Sequence, residues 1–165
     1  MTVAADTDRA SHTVLRRGAW SGRAELCHLD YDGRFLRRKR LMTDEGVPFL
    51  VNLDQTTSVN DGDAFVLSDG ELVEVRAARE PLYRVTGDHL AVLAWHIGNR
   101  HTPCAVKADH LLIRRDAVLA EMLKGLGACL ADVRAPFNPE GGAYGLGRTH
   151  GHSHGHGHGE HDHAD

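Results

Sequence analysis

The first half of the chain shows a period-two alternation of apolar and polar residues, and this pattern constrains the fold more than any other feature. It occurs in short runs over residues 13–77, separated by glycine-containing turn signals at 32–33, 44–46, 60–62 and 68–70. Strands at intervals of about 8 to 12 residues with Asp-Gly turns are typical of all-β folds. The clearest hairpin is 63–75, "DAFVLSDGELVEV". We therefore predict an all-β domain over residues 1–78.

After a short polar segment that ends at Pro81, the periodicity changes. Strands are predicted near 82–85, 104–107, 110–114 and 128–135, and helices over 87–97 and 116–126. Gly98 is the expected left-handed residue at the end of the first helix, and Asp116 is the expected N-cap of the second. The resulting βαββαβ order predicts a ferredoxin-like domain over residues 82–136. The fold class is therefore α+β.

Residues 137–165 are rich in glycine and histidine and are expected to form a flexible, disordered tail. Seven of the thirteen histidines of the chain lie there, namely His150, His152, His154, His156, His158, His161 and His163. Neutral imidazole binds Ni, Cu, Zn and Co well, and glycine between ligands lets the backbone fold around an ion. The tail is therefore predicted to capture metal with moderate affinity and poor selectivity.

The stretch "HIGNRH" (96–101) supplies a second group of candidate ligands, where the first helix ends. His101 is expected in the exit loop with its side chain free to point outward, whereas His96, Cys104 and His110 are expected to be structural. One histidine cannot hold an ion alone. Across a two-fold axis, however, an exposed residue meets its own copy, so a pair of His101 side chains would supply two ligands.

Two other functions remain open at this point. The protein could be a generic metal buffer or storage protein in which the tail is the whole function. It could also be a zinc or nickel hydrolase that uses His96, His101 and His110 as ligands. The chain contains no GxxxxGK[ST] phosphate loop, no HExxH motif and no nucleophile elbow. We therefore expect a binding protein rather than an enzyme.

The densest basic stretch is "RFLRRKR" (34–40), in a chain whose formal net charge is −4. Its alternation predicts an edge strand, with Leu36 on one face and Phe35 and Leu41 on the other. Cations on such a strand protect it against aggregation. We therefore expect a solvated edge and not a nucleic-acid surface.

Three widely spaced cysteines imply no disulfide framework, and this suits a reducing compartment. No apolar stretch approaches the roughly 18 residues that a membrane span requires, and the first residues contain no apolar signal core. A cytoplasmic protein with no membrane partner is therefore predicted.

Three segments together resemble a known family. They are "WHIGNRHTPCAV" at 95–106, "VLAEMLKGLGA" at 118–128 and "APFNPEGGAYG" at 135–145, followed by the histidine-rich tail. This combination resembles the UreE family of urease accessory metallochaperones, most clearly from residue 82 onward. The resemblance implies an N-terminal domain similar to a chaperone peptide-binding module, a ferredoxin-like metal-binding domain and a head-to-head homodimer with nickel at its interface. The family's interface ligand falls on His101.

The resemblance also implies a cargo and partners. The cargo is Ni(II), delivered to the urease apoprotein through a GTPase and other accessory proteins, while Zn(II) or Cu(II) are further candidates for binding in vitro. A GTPase on a separate chain agrees with the missing phosphate loop. Some relatives carry extra histidines just before the second helix, where this chain has Arg114, Arg115 and Ala117. We therefore expect metal at His101 and in the tail only.

Overall fold

The computed structural model describes residues 9–141, and its first part is a six-stranded sheet. The strands, in order β2-β6-β5-β1-β4-β3, are β1 (Ala10–Leu15), β2 (Glu25–Leu29), β3 (Phe35–Met42), β4 (Pro48–Ser58), β5 (Ala64–Leu67) and β6 (Leu72–Ala77). The pairs β1–β4 and β2–β6 are parallel, and the other pairs are antiparallel. The apolar residues of the alternating runs, among them Phe49, Phe65 and Val75, form one buried cluster. The predicted hairpin over 63–75 is confirmed by the pairing of β5 with β6.

Strand β3 departs from the predicted alternation. Strict alternation places Leu36 and Leu41 on opposite faces, yet both are buried in the same cluster. The register of β3 against β4 shifts between Leu36 and Arg38, which marks a bulge or similar irregularity. Between the pairs on either side of this point β3 advances two positions and β4 advances five, so the alternation does not continue across it. The prediction that Leu36 and Leu41 lie on opposite faces of the strand was therefore wrong. The predicted position of β3 at the edge of the sheet is confirmed.

The second part has the predicted order of strands and helices around a four-stranded antiparallel sheet. Its elements are β7 (Arg79–Thr86), α1 (Leu90–Asn99), β8 (Ala105–Val106), β9 (Leu111–Arg114), α2 (Ala117–Gly125) and β10 (Cys129–Pro136), and the strand order is β10-β7-β9-β8. Leu93 and Ile97 of α1 share a buried cluster with Leu119 and Leu123 of α2. Both helices are short, and no helix within residues 9–141 could cross a membrane.

Two details of this second part concern the ends of elements. Asp116 caps α2 as predicted, because its carboxylate accepts a hydrogen bond from the Leu119 amide at 2.8 Å. The polar segment before Pro81, expected to be a connection, is instead the start of β7, where Pro81 pairs with Arg134. Only one residue, Ala78, separates β6 from β7. The two sheets are thus joined almost without a linker.

A buried joint holds the two sheets together. Arg34 ends a short 3-10 turn (Asp32–Arg34) and is only 3% exposed. Its guanidinium donates hydrogen bonds to the carbonyls of Leu29, at 2.9 Å, and of Phe137, which follows β10. The Phe137 ring packs edge-on against the ring of Tyr31, with centroids 5.3 Å apart. Phe137 was expected to begin the flexible tail, but it is fully buried, so the chain just after β10 belongs to the packed structure.

Further contacts close the same joint. The Tyr31 amide donates to the Glu80 carboxylate at 2.8 Å, and Arg114 donates to the Asp32 carboxylate at 2.9 Å. The Arg114 guanidinium also lies over the Tyr31 ring, 4.9 Å from its centroid. Cation–π contacts of this kind add to the apolar burial of the ring. Each contact joins a residue of the turn to the second part of the chain.

We predict that Arg34→Met destabilises the protein strongly. The buried Phe137 carbonyl loses its charged donor, and we expect the free energy of unfolding to fall by about 2–3 kcal/mol in urea titrations. The control is Arg38→Met on the exposed face of β3, for which a change within about 0.5 kcal/mol is expected. Equal effects of the two substitutions would contradict the role assigned to Arg34.

Candidate metal-binding site

Helix α1 ends in a specific hydrogen-bonded motif that contains His101. The His101 amide donates to the Gly98 carbonyl at 2.9 Å, and the Thr102 amide donates to the Ile97 carbonyl at 3.4 Å. These two bonds form a Schellman motif, in which the residue after the C-cap adopts a left-handed conformation. That residue is His101, with φ of 56°. The prediction that Gly98 would take this conformation was wrong, because α1 continues through Asn99.

Within residues 9–141, His101 is the only residue other than glycine with a positive φ. The left-handed conformation brings Cβ close to the carbonyl oxygen and costs residues with side chains roughly 1–2 kcal/mol. Helix α2 ends in the same motif, with Gly127 at the corresponding position and φ of 88°. Strain of this kind clusters at functional sites. The contrast between the two helix ends therefore makes His101 a candidate functional residue.

His101 is exposed, and the helix that leads to it carries exposed apolar residues. Trp95 is 62% exposed and Val92 is 52% exposed, three positions apart on one face of α1. On α2, Val118 is 68% exposed. The Arg100 guanidinium reaches the Met122 sulfur at 3.2 Å and so links the end of α1 to α2. Trp95 was not predicted as a site residue, although it lies off the apolar repeat that Leu90, Leu93 and Ile97 form in α1.

The start of the tail lies close to the same loop. The Glu140 amide donates to the Cys104 carbonyl at 2.9 Å, so the chain is held three residues from His101 just before it leaves the described part. The seven tail histidines proposed as ligands lie outside the described residues: His150, His152, His154, His156, His158, His161 and His163.

Cys104 has the properties of a core residue. Its side chain packs against the buried cluster of the second sheet. Burial, together with the negative charge of Glu140, raises the pKa of the Cys104 thiol to about 11. Because metals bind the thiolate, a thiol that stays protonated at neutral pH is a poor ligand. The expectation that Cys104 is structural agrees with this environment.

Two other candidate histidines of the second part of the chain lie in separate surroundings. The His96 ring packs edge-on against Trp95, with centroids 5.0 Å apart. His110 Nδ1 lies 2.6 Å from the Asp109 carboxylate, and this hydrogen bond lowers the pKa of Asp109. No three histidine, cysteine or acidic residues within residues 9–141 are grouped so as to hold a metal. In a single chain, His96, His101 and His110 therefore do not form the three-ligand site that a hydrolase requires.

The two helix ends allow a matched test of strain at His101. We predict that His101→Gly leaves the metal-free protein as stable as the parent or up to about 1 kcal/mol more stable, because glycine adopts the left-handed conformation freely. Gly127→His should instead lower the free energy of unfolding by about 1–2 kcal/mol. A Cβ at position 127 meets no atom within 4 Å, so this cost comes from the backbone alone. Urea unfolding measures both, and equal losses of stability would contradict the assignment of strain to His101.

Comparison with known proteins identifies the family of the chain. Residues 7–78 match the model of the N-terminal domain of UreE urease accessory protein, and residues 72–164 match that of its C-terminal domain. The chain is 61% identical to a urease accessory protein UreE of Cereibacter sphaeroides over 92% of this chain and 78% of that one. It is 56% identical to that of Ruegeria pomeroyi, over 86% and 95% of the two chains. The chain therefore belongs to the UreE family of urease accessory proteins, whose name places it in urease maturation.

Proposed function

We propose that this protein is a nickel metallochaperone that carries Ni(II) on His101 for assembly of the urease active site. The observation that carries the proposal is the left-handed conformation of His101, an exposed imidazole held in a position that favours glycine. A ligand at the fixed end of a helix has a defined orientation, and it leaves the ion open to other ligands. Such a ligand can be exchanged for a ligand of the recipient, whereas a closed four-ligand site would retain the metal.

The second ligand comes from a second copy of the chain. Exposed tryptophan and valine side chains on neighbouring helices form the kind of apolar surface that marks protein interfaces. We infer that Val92, Trp95 and Val118 contribute to a homodimer whose two-fold axis passes near His101. The two His101 side chains then bind one ion together.

The tail completes the ligand shell and holds further ions. Glu140 is bound next to Cys104, so the tail begins near the proposed site. From Gly141 to His150 there are nine residues, which reach at most about 30 Å when extended. The first tail histidines of either chain can therefore approach the interface. Several equivalent histidines let the tail collect ions, with Zn(II) and Cu(II) as competitors in vitro.

The rest of the proposal concerns architecture and partners. The strand order β10-β7-β9-β8 and the βαββαβ order support a ferredoxin-like fold for a metal-binding domain over residues 82–136. Residues 1–78 form a separate β domain similar to a peptide-binding module. Delivery takes place in the cytoplasm through a GTPase partner to the urease apoprotein. The protein itself acts as a carrier and not as an enzyme.

Calorimetric nickel titration tests the site directly. After deletion of residues 149–165 we expect the protein to keep about one nickel per dimer, because two His101 side chains share one ion. His101→Ala in that shortened protein should abolish this binding, whereas the control Cys104→Ala should leave the affinity within about two-fold, because its thiol is protonated. If the tail deletion alone removed all binding, the protein would be a generic metal buffer and the carrier proposal would fail.

The same nickel titration tests whether the site requires the proposed homodimer. Trp95→Asp places a charge in the apolar surface, and we expect a monomer that has lost the nickel bound by the tail-deleted protein although His101 is intact. The matched control is Met42→Asp in β3, an apolar residue of similar exposure, 59%, in the other sheet. Analytical ultracentrifugation reports the oligomeric state. Retention of the His101-dependent ion by a monomeric Trp95→Asp variant would show that no second copy is needed.

A further inference from the structure

Residues 37–40 of β3, which we call the basic edge, carry four consecutive cations: Arg37, Arg38, Lys39 and Arg40. All four side chains are exposed. Within residues 9–141 none of them forms an ion pair, although other surface arginines do, for example Arg9 with Glu25 and Arg16 with Asp63. Arg37 donates only a long hydrogen bond, 3.4 Å, to the Leu53 carbonyl of β4. Metal carriage makes no use of this charge.

From Arg38 to Arg40 the basic edge pairs regularly with β4, and Arg37 lies at the irregularity that precedes these pairs. Buried Leu36 and Leu41 anchor β3 on either side of the basic edge, and β4 pairs with it on one side only. The residues of β4 opposite Arg38, Lys39 and Arg40 are uncharged, namely Asn52, Val51 and Leu50. The other side of β3 is an edge of the six-stranded sheet, so its outward backbone groups are available for a further strand.

The positions of the four cations along β3 favour one class of partner over the others. Successive side chains of a strand point to opposite faces, so a polyanion that lies on one face of the sheet meets only about half of the four cations. A strand added at the edge meets all of them through cross-strand pairs. A second copy of the basic edge is excluded, since like charges would then stand opposite one another. An extended segment with consecutive acidic residues can form backbone hydrogen bonds with β3 and can pair its carboxylates with the cations.

We propose that the basic edge is a docking site for an acidic, extended segment of a partner protein, which binds by adding a strand beside β3. The sequence pattern explained these cations as protection against aggregation. That role is also served by the irregularity next to Leu36, since bulges protect edge strands as well. Four unpaired cations in a row give the edge selectivity for an acidic strand as well as protection. This proposal does not depend on where nickel is bound.

The test uses the full-length protein and a fluorescent peptide with four consecutive glutamates between β-forming residues, followed by anisotropy. We expect saturable binding that weakens as salt is raised from about 0.05 to about 0.5 M. The paired substitutions Arg38→Glu and Lys39→Glu should weaken it at least about ten-fold, because attraction on both faces becomes repulsion. The control pair Arg23→Glu and Lys107→Glu changes the net charge equally at exposed sites elsewhere, and should change binding less than about two-fold.

Four further arms keep the test decisive. Arg38→Gln with Lys39→Gln removes the charge without adding repulsion, so a weaker effect in the same direction is expected even if the reversed variant folds poorly. The same peptide with alternate amides N-methylated keeps its charge but cannot pair with a strand, and it should bind at least about ten-fold more weakly. Equal binding of this peptide, or of a thymidine oligonucleotide, would overturn the proposal in favour of general polyanion binding. Peptide binding that emerges only after deletion of residues 149–165 would assign the edge to the chain's own tail and would also overturn it.

Discussion

The hydrogen bonds of the buried Arg34 guanidinium connect the two parts of the described chain, and the arrangement of the rest depends on them. The guanidinium joins the 3-10 turn between β2 and β3 to the carbonyl of Phe137, which lies 103 residues further along the chain. Burial of a charged group is costly unless it is hydrogen-bonded, and here two carbonyls accept hydrogen bonds from the guanidinium. Because Phe137 is fixed, the segment that follows is also fixed as far as Glu140 and Cys104. The joint thus relates the first sheet to the start of the tail and to the loop of His101.

The two helix ends of the second part of the chain differ in the residue that takes the left-handed conformation. Both close with the same two hydrogen bonds, but only α2 uses glycine, at position 127, for the left-handed residue. At the end of α1 the motif still satisfies the last carbonyls and orients His101 by its backbone. The strain is supported by the packing of Leu93 and Ile97 beneath the helix. In the proposed carrier, this geometry presents the imidazole at a surface without burying the metal.

Local patterns predicted much of this structure, and contacts between distant residues account for what they missed. Alternation and Asp-Gly turns indicated the β5–β6 hairpin, and the Asp116 cap followed from residue type at a helix start. The irregularity between Leu36 and Arg38 left no signal in the sequence, so the facing of β3 was wrong.

For the candidate site, too, some features were predicted from the sequence and others were not. His101 was identified from a motif, but its left-handed conformation depends on where α1 ends, and a helix end is hard to locate from sequence alone when glycine lies inside the helix. The burial of Arg34 and Phe137 could not be predicted, since it depends on a contact between residues 103 positions apart in the chain. The exposure of Trp95, in contrast, could have been predicted, because the residue lies off the apolar repeat of α1.

The central claim is that a pair of His101 side chains binds the ion, and X-ray absorption spectroscopy at the nickel edge tests it most directly. The sample is the protein lacking residues 149–165, loaded with about one nickel per dimer. The account predicts a signal from about two imidazole ligands per nickel, with no sulfur ligand, and loss of the imidazole signal in His101→Ala. An unchanged imidazole signal in His101→Ala, or a sulfur ligand from a cysteine, would contradict it.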